Sequence, residues 1–592
     1  MGKLAKWLTA VLLLISIAAG PAFGQNESAG MAEELEELTK TAEALVGEGK
    51  AKGAVLAIVR EGEEAVCRGF GFADQYQGIA ADGVKTAFRI GSISKTFVAV
   101  AAQLLVQEGR LDMDEDIAHY VGRAFPALAY PVTMGQLLTH TAGFEDVVTG
   151  IAVYEVSQTE PLEKTVVKYK PAQIFVPGEM VSYSNYGIAL AAYVVEEVSG
   201  QDFAAFCREK IFLPLGMERT TFEYMQDIVC LSKPYLPNGQ ETLEPYINLY
   251  PEGSALSTAA DMANYMAWLL ARQDRRVLSP QSKKELFDRQ FTMAGELAGM
   301  GYTWNRKTEK GRLYYDKKGE TLNFYSRIAL YPEAGAGIFF SSNTYLPEEE
   351  INALMDKATA LLSGPEAGAG AGVIANQVPA GEAAIDISGY YVNHCSSFES
   401  AEKILRYLIP GKSLTITGSL AGGFAIKGTD LRLIGRDLYE SPLGKIKFLN
   451  KEGEIILATE SAITFSKAPF WQKSCFQVLP PLLFLVLTLL CLLVELRGFS
   501  SKGRLFIVLC CFLQLSAFVA LAVLLYKGVL SFTLLSYGSW LKGGAGIILV
   551  SAVAGLAYGI NKKTRQEPAL LPAAWSLAGL LFSGWLYWLN LL

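Results

Sequence analysis

Ser92 and Lys95 stand three residues apart in "FRIGSISKTF", Phe88–Phe97. A serine attacks a carbonyl only after a base takes its proton. A lysine can be that base once burial or nearby positive charge lowers its pKa from about 10.4. On a helix, side chains three apart share a face, and a helix beginning at the serine adds a field that favours developing negative charge. The sequence predicts this setting: Gly91 precedes, Ser92 opens the helix, and "SISKTFVAVAAQLLVQEG", apolar nearly all round, stops at Gly109. A helix of that kind belongs inside a large domain. Taken alone, the tetrapeptide reads more simply as an N-cap serine and a solvated lysine. The spacing recurs at Ser400–Lys403, near Tyr391-Val392-Asn393 and Lys451-Glu452-Gly453. There the surroundings are polar and β-rich, with no sign of a buried helix, and Ser400 reads as a surface serine.

Downstream of Ser92 come "VTMGQLLTHTAGF" (132–144), "FVPGEMVSYSNYGIALAAYVVEEVSG" (175–200), "LPLGMERTTF" (213–222) and "PEGSALSTAADMANYMAWLL" (251–270). With these in order, residues 35–360 resemble the serine β-lactamase-like family: class C β-lactamases, low-molecular-weight penicillin-binding proteins, and related esterases and D-amino-acid peptidases. The resemblance implies acyl transfer through a serine ester. It makes Ser92 the nucleophile, Lys95 its activating partner and Tyr183 the proton shuttle to the leaving group. A phenol with a pKa near 10 needs ammonium neighbours for that task. Asn185 would hold a substrate amide, and Lys317 and Gly319, from Lys317-Lys318-Gly319, would contact substrate as the family's third box. The backbone amides of Ser92 and Glu320 would form the oxyanion hole. After this box the family commonly has glycine and small residues, whereas this chain has Glu320, Leu322 and Asn323, a difference that bears on substrate choice. His140 matches a family signature but has no step to perform, and reads as structural. The acidic turn at Asp112, Asp114, Glu115 and Asp116 reads as solvated surface.

The elements that must hold these residues follow from periodicity. "MAEELEELTKTAEALV" has helical spacing, and "GAVLAIVREGEEAVCRGFGFAD" reads as two strands around a turn at 60–63. Alternating helices and strands continue to a strand pair over Ser326–Asn343. The expected fold is α+β: an antiparallel sheet flanked by helices over residues 25–363. A Gly/Ala/Pro linker (364–384) leads to a small barrel or curled sheet (385–470) of short β runs separated by turns. An all-α transmembrane region (475–592) is expected to carry four spans, near 475–496, 505–526, 543–560 and 570–592, with the apolar segment 528–542 ambiguous.

The N-terminus, with Lys3 and Lys6 before an apolar stretch and Ala22 and Gly24 before Gln25, has the pattern of a signal peptide over residues 1–24. With residues 25–470 outside, the basic clusters Arg497, Lys502, Arg504 and Lys562, Lys563, Arg565 both fall on the cytoplasmic side. The expected location is the cell membrane, multi-pass, with the lipid bilayer as one partner. The 592 residues carry a net charge of -7 and no long basic run, which gives no support for nucleic-acid binding. Eight cysteines without a CxxC and only three histidines predict neither a disulfide framework nor a metal site, and no cofactor is expected. The expected activity is a serine hydrolase for an amide or ester: a β-lactam, a D-amino-acid peptide or a cell-wall peptide, with peptidoglycan among the candidates. The competing expectation is a cell-wall or β-lactam sensor with little turnover that signals through the membrane region.

Overall fold

The structure is a computed structural model, and it describes residues 22–589 apart from 224–229, 310–311, 364–384, 410, 421–422, 461–462, 478, 497–501, 531–537 and 565–569. The expected linker lies outside the described residues, as does most of the expected signal peptide. The helix Ala22–Gly47 runs through the expected cleavage point at Gln25.

The run Ala54–Val59 is apolar at every position because both faces of its strand are covered. Val55, Ala57 and Val59 enter one apolar cluster, and Ala54, Leu56 and Ile58 enter another. The strand Gly53–Arg60 is central in a seven-stranded antiparallel sheet of order Ile79–Ala80, Val66–Asp74, Gly53–Arg60, Ala336–Ser342, Tyr325–Tyr331, Arg312–Glu320, Asn305–Glu309. One face takes the helices Ala22–Gly47 and Glu348–Leu362, through Leu38, Ala42, Leu354 and Ala358. The other takes a helical lobe that includes Ser94–Gln107, Asn185–Ser199 and Ala259–Leu270. The α+β fold read from the sequence is the fold observed.

The Ser92 helix starts later than expected. Gly91–Ile93 form a 3-10 turn, and regular α-helix runs from Ser94 to Gln107. The cause is a tight entry: Gly91 has φ 52, a Cβ there would lie 2.6 Å from the Glu320 nitrogen, and Ser94 Oγ donates to Gly91 O at 2.6 Å.

The second module is a nine-stranded antiparallel sheet around Tyr391, Ile416, Phe448, Leu457 and Phe465. Its two outermost strands, Thr429–Asp430 and Arg432–Gly435, are separated in sequence by Leu431 alone, so the sheet curls nearly shut.

Ser400 is not the surface serine the sequence suggested. It caps the 3-10 turn Ala401–Ile404, which continues as the helix Leu405–Leu408. The reason is long-range, an exchange of carboxylates between the module and the domain that carries Ser92. Glu402, fully buried, accepts the N–H groups of Val148 (2.6 Å) and Thr149 (2.8 Å). In return Glu145 accepts those of Phe398 (2.6 Å) and Glu399 (2.9 Å). Lys403 donates to the backbone carbonyl of Trp588 at 3.0 Å.

Trp588 ends the last of four apolar helices, Leu479–Leu496, Lys502–Leu530, Gly538–Thr564 and Leu570–Trp588. Among the described residues three segments, Cys475–Leu496, Leu505–Lys527 and Trp540–Tyr558, are long and apolar enough to cross a membrane, against the four expected. The fourth helix packs with them: Phe582 stacks on Phe484 at 4.7 Å, and Trp575 Nε1 donates to Gln514 Oε1 at 2.8 Å.

Candidate active site

Ser92 Oγ is bonded by Lys95 and Tyr183, and Lys317 stands beside Tyr183. Lys95, one turn further along the buried helix, places Nζ 2.7 Å away. Tyr183, in the loop before the helix Asn185–Ser199, donates its hydroxyl to Oγ at 2.9 Å. Lys317 comes from the strand Arg312–Glu320, where alternation turns it to the side opposite Asp316 and Lys318. Its Nζ lies 5.4 Å from the Tyr183 ring centroid, and Lys95 Nζ lies 5.2 Å from the same ring. The structure therefore brings Ser92, Lys95, Tyr183 and Lys317 together across a separation of 225 positions, 317 minus 92.

Gly319 shows why no side chain fits at the end of that strand. A Cβ there would stand 1.9 Å from the Ile90 carbonyl oxygen. The Glu320 backbone consequently lies against Gly91, one residue before Ser92. The turn that departs from the family pattern is held by Glu244, which accepts the N–H groups of Leu322 (3.1 Å) and Asn323 (3.0 Å) and the Asn323 amide (2.7 Å). Asn185 opens its helix with Oδ1 buried and without a hydrogen-bond partner among the described residues, an acceptor available to a ligand N–H.

The charges are set by burial and by one another. Burial pushes the Lys317 ammonium down to about 7, assisted by Lys95. Burial also raises the Tyr183 phenol, partly offset by Lys95. For Lys95 burial works downward as well, but the carboxylate of Glu252 and the Tyr183 hydroxyl outweigh it and leave its pKa raised. Glu252 Oε2 is 2.6 Å from Lys95 Nζ, with side-chain exposures of 6% and 0%.

Glu252 is the residue that sequence reasoning missed. It lies 157 positions from Lys95, so no spacing rule links them. The available signal was a single acid in "PEGSAL", next to proline and glycine.

His140 holds the Tyr183 loop, although its buried Nε2 has no hydrogen-bond partner among the described residues. Its carbonyl accepts from Ser182 N at 2.9 Å, its Nδ1 from Ser184 N at 3.2 Å, and its ring lies 4.2 Å from that of Tyr183. Burial, then Lys317 and Lys95, hold its pKa well below the usual range, so the ring is neutral.

The β module holds the same loop from the other side. Thr464 Oγ1 donates to the Val181 carbonyl at 2.6 Å, and Ser182 Oγ donates to the His394 carbonyl at 3.1 Å. Nothing in the sequence linked residues 394 and 464 to Tyr183. The second Ser-x-x-Lys stays outside the site, Glu402 and Lys403 being engaged as described above.

A family model described as Beta-lactamase matches residues 38–361. Among curated proteins, the putative penicillin-binding protein PbpX of Bacillus subtilis (strain 168) is 28% identical over 236 residues, covering 39% of this chain and 57% of that protein. Protein flp of Staphylococcus aureus (strain N315) is 25% identical over 342 residues, covering 54% and 66%. The chain thus spans less than two thirds of the length of either relative. Among solved structures, that of SurE superimposes with a TM-score of 0.51 at 20% identity, covering 74% of this chain and all of that one, a likeness of fold.

Proposed function

Because the chain belongs to the beta-lactamase family, we propose that it is a membrane-anchored serine hydrolase that works outside the cytoplasm. Ser92 forms an acyl-enzyme with an amide or ester: a β-lactam, a D-amino-acid peptide or a cell-wall peptide. The observation that carries this reading is the Ser92 hydroxyl held by both Lys95 Nζ (2.7 Å) and Tyr183 OH (2.9 Å). In this reading Tyr183 passes a proton to the leaving group. Lys317 receives a substrate carboxylate, with Gly319 beside it. Asn185 accepts from a substrate amide through its free Oδ1, and the Ser92 and Glu320 amides hold the oxyanion. Residues 25–470 lie outside and the apolar helices cross the bilayer.

The full chain, purified in detergent and incubated with a penicillin, a D-alanyl peptide ester and a simple ester, should gain the corresponding acyl mass on Ser92. Ser92→Ala should gain none, and an adduct that survives this substitution would sink the assignment. A sensor reading draws on the direct contact of the β module with the last apolar helix, Lys403 to Trp588. Repeated turnover of the ester favours the hydrolase, and one lasting adduct per chain favours the sensor.

A further inference from the structure

Lys95 is enclosed. Its side chain is 0% exposed, and its Nζ has three oxygens at bonding distance: Ser92 Oγ at 2.7 Å, Glu252 O at 2.6 Å and Glu252 Oε2 at 2.6 Å. An ammonium has three N–H donors, so this set satisfies the charged form completely. A lysine held in that form has no lone pair to take the Ser92 proton. A carboxylate touching the same nitrogen removes the difficulty, because a close ion pair away from water can neutralise itself by moving one proton.

We propose that Glu252 is the proton-holding partner of Lys95, a positioning residue that lets Ser92 be deprotonated through a Ser92–Lys95–Glu252 relay. The inference rests on the serine-hydrolase reading above. The proton on Lys95 Nζ facing Glu252 moves to Oε2, leaving a neutral amine beside a neutral carboxyl. As Ser92 Oγ bonds to the substrate carbonyl carbon, its O–H bond breaks and the proton goes to Nζ, while the carbonyl electron pair moves to oxygen. When the intermediate collapses, Tyr183 gives its phenolic proton to the leaving group and recovers one from Lys95, which takes back the proton held on Glu252. One proton leaves with the departing group, and Lys95, Glu252 and Tyr183 end as they began.

The groups facing Lys95 are few. The 3-10 turn Gly91–Ile93 before its helix contributes Ser92, the turn Tyr250–Glu252 contributes Glu252, the loop before Asn185 contributes Tyr183, the strand Arg312–Glu320 contributes Lys317, and the loop after Leu138 contributes the neutral His140. Among the described residues Glu252 is the one carboxylate bonded to Lys95. With Glu252→Gln the carboxylate that accepts the Lys95 proton is gone, while the Tyr183 hydroxyl still favours the charged ammonium. Lys95 then becomes a base only when the solution itself removes its proton.

The test measures the rate of Ser92 acylation by a penicillin or an activated-ester probe against pH, using the full chain in detergent. In Glu252→Gln the acid limb of the profile should move to higher pH by at least about one unit, so labelling at pH 6 falls at least about tenfold and recovers as pH rises. Glu252→Asp, which keeps a carboxylate, should hold its limb near that of wild type. Lys317 is present in all three proteins, so a limb that stays put in Glu252→Gln belongs to Lys317 and overturns the proposal. A uniform loss at every pH in a Glu252→Gln protein that melts like wild type also overturns it. Failure of wild type itself to label would instead reject the underlying hydrolase reading.

Discussion

Lys317 carries its charge at a cost. Buried beside Lys95, its folded pKa is about 7, against about 10.4 for a lysine in an unfolded chain. Between these values the unfolded chain binds the extra proton, so this site's contribution to stability rises with pH from about 7 to about 10 and is least favourable below 7. Lys317→Met keeps the bulk without the charge. Its melting temperature should exceed that of wild type most at pH 6, and the two should converge toward pH 10. An equal gap at both ends of the range would remove the charge from the explanation. The same substitution should slow acylation by probes that carry a carboxylate more than by neutral ones.

Elements place Tyr183, and here sequence and structure part company. The helix after Ser92 and the strands at 53–60 and 336–342 were legible because each carries a continuous apolar run, and Lys317 because it stands in a family box. The supports of the Tyr183 loop were not legible, because they are single hydrogen bonds between residues far apart in the chain: 464 to 181, 394 to 182, and 140 to 182 and 184. The second Ser-x-x-Lys misled for the same reason. Its surroundings are set by Glu145 and the Val148–Thr149 amides, some 250 residues away. Thr464→Val tests the module's hold on the loop. It leaves the buried Val181 carbonyl unpaired, at a cost of roughly 1–3 kcal/mol. Ser92 acylation should slow while binding of the neutral probe, read as its saturation constant, stays close to wild type. A wild-type acylation rate would show that the loop holds itself.

At the scale of the molecule, the hydrolase domain and the β module share a charged and hydrogen-bonded seam. Beside the paired carboxylates, Lys412 meets Asp146 at 2.7 Å and Lys447 meets Glu296 at 2.8 Å. A protease site inserted between residues 364 and 384 and then cut should leave two pieces that co-elute from a sizing column and still label at Ser92. Separation at moderate salt would mean that the seam is too weak to act as one body.

That seam also bears on where the serine can work. Adjacent residues of one short helical turn bond different partners, Glu402 the Val148–Thr149 amides and Lys403 the end of the last apolar helix. With those helices in a bilayer, as proposed, Ser92 is mounted at one height above the lipid instead of swinging on a leash. Such an enzyme meets its targets as a stationary tool meets passing work, and it can treat only bonds presented at that height.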